Sequence, residues 1–364
     1  PMSALYGSGA MGGVIHIITR KPGEKSQTGF TAEYGSLNTR SFSGFHLSRA
    51  EKIGGTMGGR VYESDGYTSV VDPQAYHTDT EREEQNLFGT LSFYPDEVSV
   101  LTAGLNHVNE DYNRGRQTDN QVNRKTVAHL TYKRDMDQDS NLSGSLYAQF
   151  INRAVELGSP RSGYAVQDNE EEEDSYKVGQ VFKVNFDLSG PHNLTAGIDS
   201  SLTKMEKEIT YYTSVRDGKA QGKQSQFSMF AQDEMSFDLG ADKLIVTLGI
   251  RGDYTRSFDG ESLDTNLSPG ITDYDDKSFS SFNPKLGLVY EMGDRTVFRL
   301  SGGRSFAAPT LFELYTVFSR GPYVLYGNPD LDAETAYSVE LGADHWLTDS
   351  LLGRMSVYYT LGHD

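Results

Sequence analysis

Lys243–Asp253 reads KLIVTLGIRGD. Leu244, Val246, Leu248 and Ile250 take every second position, and Thr247, Gly249, Arg251 and Asp253 fall between them. A helix would scatter these apolar residues around its circumference, whereas a strand, whose side chains alternate between two faces, collects them on one. The same period recurs in Leu142–Phe150, where Leu142, Gly144, Leu146, Ala148 and Phe150 oppose Ser143, Ser145, Tyr147 and Gln149. Phe182, Val184 and Phe186 likewise alternate with Lys183 and Asn185, and Leu286, Leu288 and Tyr290 with Lys285 and Glu291. Read along the whole chain, this period predicts an all-β protein of about fifteen antiparallel strands, many at or beyond the roughly 9–11 residues that cross a bilayer when tilted.

The connections alternate in kind. Short, turn-like ones fall around Glu51–Gly54, Pro95–Glu97, Asp135–Ser140, Ser189–His192, Asp238–Asp242, Met292–Asp294 and Thr348–Ser350. Between them lie long polar ones around Asp65–Glu81, Asp111–Asn120, Gly158–Asp174, Thr213–Gly222, Phe258–Lys277 and Ala307–Asp332, preceded by a short first member at Ser36–Asn38. A transmembrane barrel produces this alternation, because every second turn lies on the same side of the membrane, short in the periplasm and long outside. A soluble propeller would show shorter strands at a fixed period near 40–50 residues, which the sequence lacks.

Composition is consistent with a barrel wall. Mean hydropathy is low, at −0.54, but a wall needs apolar residues only on the face turned to lipid. No run approaches the roughly 20 apolar residues of a membrane helix, which excludes a helical membrane protein. The 22 tyrosines, 18 phenylalanines and 38 glycines suit strands, interfacial girdles and bends. With no cysteine, disulfides, thiolate zinc sites and Cys nucleophiles are excluded. A formal charge of −18 argues against a general nucleic-acid binder.

Two motifs are more specific. LYGSGAMGGVIHIITRKPG (Leu5–Gly23) places Gly7, Ser8, Gly9, Ala10, Gly12 and Gly13 ahead of a short apolar strand ended by Pro22 and Gly23. It is no phosphate cradle, since no Lys-Ser/Thr pair closes the glycine run and a strand follows it. Far downstream stand RLSGGRSFAAPTLFELY (Arg299–Tyr315) and GNPDLDAETAYSVELG (Gly327–Gly342). Pro309, Asn328 and Pro329 shape a long loop there, and Tyr337, Val339, Leu341 and Ala343 share one face of the strand that follows Glu334.

The first motif, with Tyr6-Gly7, Gly12-Gly13 and a strand ending Ile-Thr-Arg, resembles the last part of the plug in TonB-dependent outer-membrane receptors. The second resembles that family's Phe-Arg-Ala-Pro-like element at Phe306 and Pro309, then Glu-Leu-Tyr at Glu313, then Asn-Pro-Asp/Asn-Leu at Asn328, Pro329 and Leu331, with Glu334 opening the next strand. Ala307 stands where the family usually has arginine. The resemblance implies the end of a plug domain over residues 1–25 and a partial transmembrane β-barrel over 26–364. Barrels of this family close with 22 strands, so a piece lacking most of the plug and the C-terminal strands is expected to leave its wall open at two edges.

The resemblance further implies a bacterial outer-membrane receptor that actively imports a metal chelate, a ferric siderophore first, with cobalamin or haem as alternatives. Its expected partners are TonB, with ExbB and ExbD, through an N-terminal segment outside this sequence, together with outer-membrane lipid and lipopolysaccharide. No cofactor and no catalytic residue are implied. Tyr315, Arg320, Tyr323 and Tyr326, with Phe318 beside them, are candidate contacts for a planar or anionic chelate. Pro309, Asn328, Pro329 and Leu331 read as loop architecture. Residues 310–327 carry no histidine, which weakens the haem alternative.

Asp168 and the run Asn169–Asp174 (NEEEED) lack the spacing of a calcium loop and read as a solvated acidic loop, as do Asp273, Asp275 and Asp276. Two rivals from other classes are a barrel enzyme, for which His107 beside Glu110 and Asp111 is the only candidate, and a receptor that signals or adheres without importing.

Overall fold

The period-two segments pair as successive hairpins. The computed structural model describes residues 19–23, 25–137, 140–188, 190–265, 270–320 and 323–363. Its strands are β1 (Gln27–Tyr34), β2 (Arg40–Ala50), β3 (Ile53–Ser64), β4 (Arg82–Phe93), β5 (Ser99–Asn113), β6 (Asn120–Asp135), β7 (Asn141–Gly158), β8 (Gln167–Asp187) and β9 (His192–Tyr211). They continue with β10 (Asp217–Leu239), β11 (Asp242–Asp264), β12 (Ile271–Tyr274), β13 (Lys277–Met292), β14 (Thr296–Ala307), β15 (Val317–Arg320), β16 (Tyr323–Tyr326), β17 (Glu334–Thr348) and β18 (Leu351–His363). Fifteen of them form one antiparallel meander in chain order; β12 adds to the end of β11, and β15 and β16 make a separate hairpin. One short helix, α1 (Leu311–Tyr315), precedes that hairpin.

Alternation decides which face goes where. On β11, Leu248, Ile250 and Tyr254 are exposed, while Arg251, Asp253, Thr255 and Ser257 are buried on the opposite face. Leu87, Leu105, Leu130, Leu146, Phe150 and Phe182 extend the exposed apolar face across β4–β8. Apolar outside and polar inside inverts the order of a water-soluble sheet; it is the order of a wall between lipid and a polar lumen.

Several expected loops are strand instead. β8 begins at Gln167, β10 at Asp217, and β11 runs on to Asp264, so long hairpins rise above the apolar band at the long-loop end. The acidic run Asn169–Asp174 therefore lies inside β8 and not in a solvated loop. Period two explains why the ladder tolerates it: successive carboxylates go to opposite faces, and on one face neighbouring strands supply cations. Lys207 on β9 meets Glu171 at 2.8 Å and Arg153 on β7 meets Glu173 at 3.8 Å. Asp273 sits in β12, and Asp276 pairs with Arg256 at 2.5 Å.

β1 and β18 end the strand order, and among the described residues they do not pair with each other. Each presents a row of unpaired backbone groups that the hydrocarbon region does not satisfy. The 364-residue polypeptide expressed alone is expected to run at its fully denatured position in unheated detergent gels. Heat-resistant compact migration, as sealed barrels show, would contradict this.

Candidate functional site

At the long-loop end the chain between β14 and β17 folds inward. Thr310 caps α1 in a reciprocal box: the Glu313 amide donates to Thr310 Oγ1 at 3.3 Å, and the Thr310 amide donates to Glu313 Oε2 at 2.8 Å. Leu311, Leu314 and Tyr315, at helical spacing, are buried with Met205 of β9, and Tyr274 and Leu331 pack against the cluster.

The helix sits on the lumen face. The register of β10 and β11 slips between Gln221 and Lys223, opposite a left-handed residue, Asp259, with φ of 52°. This bulge moves the buried set on β11 from odd positions up to Ser257 to Gly260, Ser262 and Asp264. Two glycines face inward there, and the Tyr315 ring lies over both. A Cβ on Gly222 would stand 2.7 Å from the ring and one on Gly260 2.5 Å, closer than any side chain allows. Tyr274 stacks on the same ring at 5.3 Å between centroids. Burial raises the Tyr315 phenol above its ordinary pKa, and Asp276 and Tyr274 add to the shift.

Polar contacts fasten the rest of the loop. Gln224 Nε2 donates to the Pro309 carbonyl at 2.9 Å, and Lys277 Nζ to the Leu331 carbonyl at 2.6 Å. The Asn328 amide donates to the Glu313 carbonyl at 2.8 Å, and Asn328 Oδ1 accepts from the Asp330 amide at 3.0 Å. Lys207 lies 5.6 Å from the centre of the Phe312 ring. The Asn-Pro element is thus a turn that locks onto the helix, and Phe306 is buried at the end of β14, whereas Glu334 begins β17 exposed.

The candidate contacts separate. Tyr315 is buried at 2% exposure and serves packing in place of the expected chelate surface, because the bulge gives its ring a glycine bed. Tyr326 is 50% exposed at the end of β16. Arg320 pairs with Tyr323 across the hairpin register, but their side chains, like that of Phe318, lie outside the described residues. Tyr6, Gly7, Gly12 and Gly13 also lie outside them.

Of the candidate enzyme set on β5, Asp111 shares the side of His107 by parity and Glu110 does not. His107 Nδ1 sits 2.9 Å from Thr126 Oγ1, and Glu110 pairs with Arg82 at 2.5 Å. Sequence reasoning missed the inward polar network below the loop, where Arg251 Nε donates to Asp253 Oδ1 at 2.7 Å. It also missed the clamp of Arg216 on Asp264, with Nε to Oδ1 at 2.9 Å. Arg251 also reaches Asp199 on β9, 52 positions away, and Arg216 lies 48 positions from Asp264, so no local pattern announces either set.

The profile of the family described as TonB dependent receptor-like, beta-barrel matches residues 85–362. The chain belongs to this family of TonB-dependent receptor barrels. It is 25% identical to the iron-regulated outer membrane virulence protein of Vibrio cholerae serotype O1, over 99% of this chain and 51% of that protein. It is 22% identical to a ferric enterobactin receptor of Pseudomonas aeruginosa, over 95% of this chain and 52% of that protein. The chain spans about half the length of these relatives.

Among solved structures, the siderophore receptor PiuA of Acinetobacter baumannii superposes with a TM-score of 0.75 at 12% identity, covering 98% of this chain and 60% of that one. The ferric yersiniabactin uptake receptor FyuA of Yersinia pestis gives 0.74 at 11%, covering 99% and 58%. At such identity these structures speak to the fold alone. In a TonB-dependent receptor the long-loop end is the extracellular one, so α1 and its hairpin stand at the outer mouth of the lumen.

Proposed function

We propose that this chain is the greater part of the wall of a TonB-dependent receptor that imports a ferric siderophore through the bacterial outer membrane. The observation that carries the reading is the inward-folded loop: a docked helix holds an aromatic hairpin at the extracellular mouth of a polar-lined lumen. Relatives named as ferric enterobactin receptors support the choice of cargo. Arg320, Tyr323 and Tyr326 are the proposed contacts, an arginine and aromatics suiting an anionic, ring-bearing chelate. Residues 1–25 are assigned to the end of a plug, and Phe306, Pro309, Glu313, Asn328, Pro329, Leu331 and Glu334 to shaping the loop.

The family consists of transport receptors. No bond in the cargo needs to change; the work is displacement of a plug, with force delivered by TonB, energised by ExbB and ExbD, on a segment captured by strand addition. Cells expressing the whole gene should accumulate radiolabelled ferric enterobactin or another ferric siderophore, and deletion of TonB should reduce accumulation to background. Binding without TonB-dependent accumulation would leave a receptor that signals or adheres. No binding of any ferric siderophore would overturn the cargo.

A further inference from the structure

We infer that Tyr315 is a positioning residue: its ring, seated in the notch made by Gly222 and Gly260, fixes where the β15–β16 hairpin is presented to the cargo. The inference rests on the proposed siderophore reading. Neither glycine has a positive φ, so neither is required by its own backbone. Both are required by the ring. The bulge opposite Asp259 brings the two glycines to the inner face at one level, and Tyr274 closes the notch from β12. The bulge, its two glycines and Tyr274 thus converge on one buried side chain.

The coupling from ring to hairpin is short. Tyr315 ends α1, Thr316 follows, and β15 starts at Val317, itself buried. The return strand is tied at the same place. The Gly327 amide donates to the Thr316 carbonyl at 2.6 Å, and a Cβ on Gly327 would stand 2.6 Å from the Leu314 backbone. Both legs of the hairpin are therefore pinned within one residue of the docked ring. If the ring leaves the notch, the hairpin loses a main part of its apolar anchorage and spends part of its time displaced. Apparent affinity then falls in proportion to the docked fraction, so a loop docked one tenth of the time binds tenfold more weakly.

The test compares Tyr315→Ala, Tyr315→Phe and Gly260→Val in the full-length receptor, with surface copy number measured by antibody. Ferric enterobactin, or whichever ferric siderophore the unaltered receptor binds, is the probe. Tyr315→Ala and Gly260→Val should raise the half-saturating concentration about tenfold or more at unchanged copy number, with the maximal rate per bound cargo retained. Tyr315→Phe should bind within about twofold of the unaltered receptor, because the ring and not the hydroxyl fills the notch. Limited proteolysis of intact cells should cut within residues 308–333 only in the first two variants. Lower copy number with unchanged affinity per copy would reduce Tyr315 to a structural residue and overturn the inference, as would continued protease protection in Tyr315→Ala. If the unaltered receptor binds no ferric siderophore, the cargo reading fails by itself, and the proteolysis still decides the positioning role.

Discussion

Arg251→Ala is expected to lower the unfolding free energy of the barrel by about 3–5 kcal/mol, the usual consequence of leaving a buried charge without its partner. The Arg251 side chain is fully buried, with Nε 2.7 Å from Asp253 Oδ1 and Nη2 3.2 Å from Asp199 Oδ2. Asp253 also accepts from Ser228 at 2.7 Å and from Asn283 at 2.8 Å, so the network ties β9, β10, β11 and β13 together across the lumen face. Its guanidinium stands 5.6 Å from the Phe230 ring centre, which covers it from water. Removing the cation strands the Asp253 carboxylate in this closed pocket.

The double variant Arg251→Met with Asp253→Leu removes both charges and should recover most of the loss. Urea midpoints of the receptor in detergent or lipid measure both variants. A single variant as stable as the parent, or a double variant no better than the single, would show that the network contributes little.

Period two and the alternation of connections made the barrel legible. The segment around Leu244–Ile250 needs no tertiary information, because lipid on one side and a polar lumen on the other impose alternation on every residue. The element from Phe306 to Glu334 was legible as loop architecture for a related reason: Pro309, Asn328 and Pro329 restrict their own backbones wherever they occur.

The heights of the strands were not legible. Phe258–Lys277 and the acidic run Asn169–Asp174 read as loops, yet β11 runs on to Asp264 and the acidic run lies inside β8. What decides them is the neighbour across the sheet, such as Lys207 beside Glu171. Tyr315 was misplaced in the same way. An aromatic in a loop reads as a candidate contact, and only the two glycines 93 and 55 positions upstream, brought together by a bulge, show that it is an anchor. Contacts such as Gln224 to Pro309 span 85 residues and leave no mark on either local sequence.

The clamp between Arg216 and Asp264 should be as sensitive as the Arg251 network, but with a local outcome. Asp264 closes the top of β11 with its carboxylate buried, held by two guanidinium nitrogens of Arg216, which comes from the connection between β9 and β10. Tyr211 lies under the guanidinium at 4.8 Å, and the backbones on either side are laced together through Asp217 and Thr265. The hairpins here have risen beyond the lipid, and these contacts tie their tips to each other.

Arg216→Ala leaves Asp264 buried without its cation, at a cost of about 3–5 kcal/mol that the tips relieve by opening while the wall below stays paired. Protease cleavage within 212–216 and 265–276 should therefore rise by roughly 10²-fold or more where cleavage follows the open population. The urea midpoint of the barrel should hardly move. Arg216→Met with Asp264→Leu should restore much of the protection, since no charge is then left to hydrate. Equal cleavage of the parent and Arg216→Ala would show that the backbone lacing through Asp217 and Thr265 suffices without the ion pair; a fall in the barrel midpoint would show that tips and wall unfold as one unit.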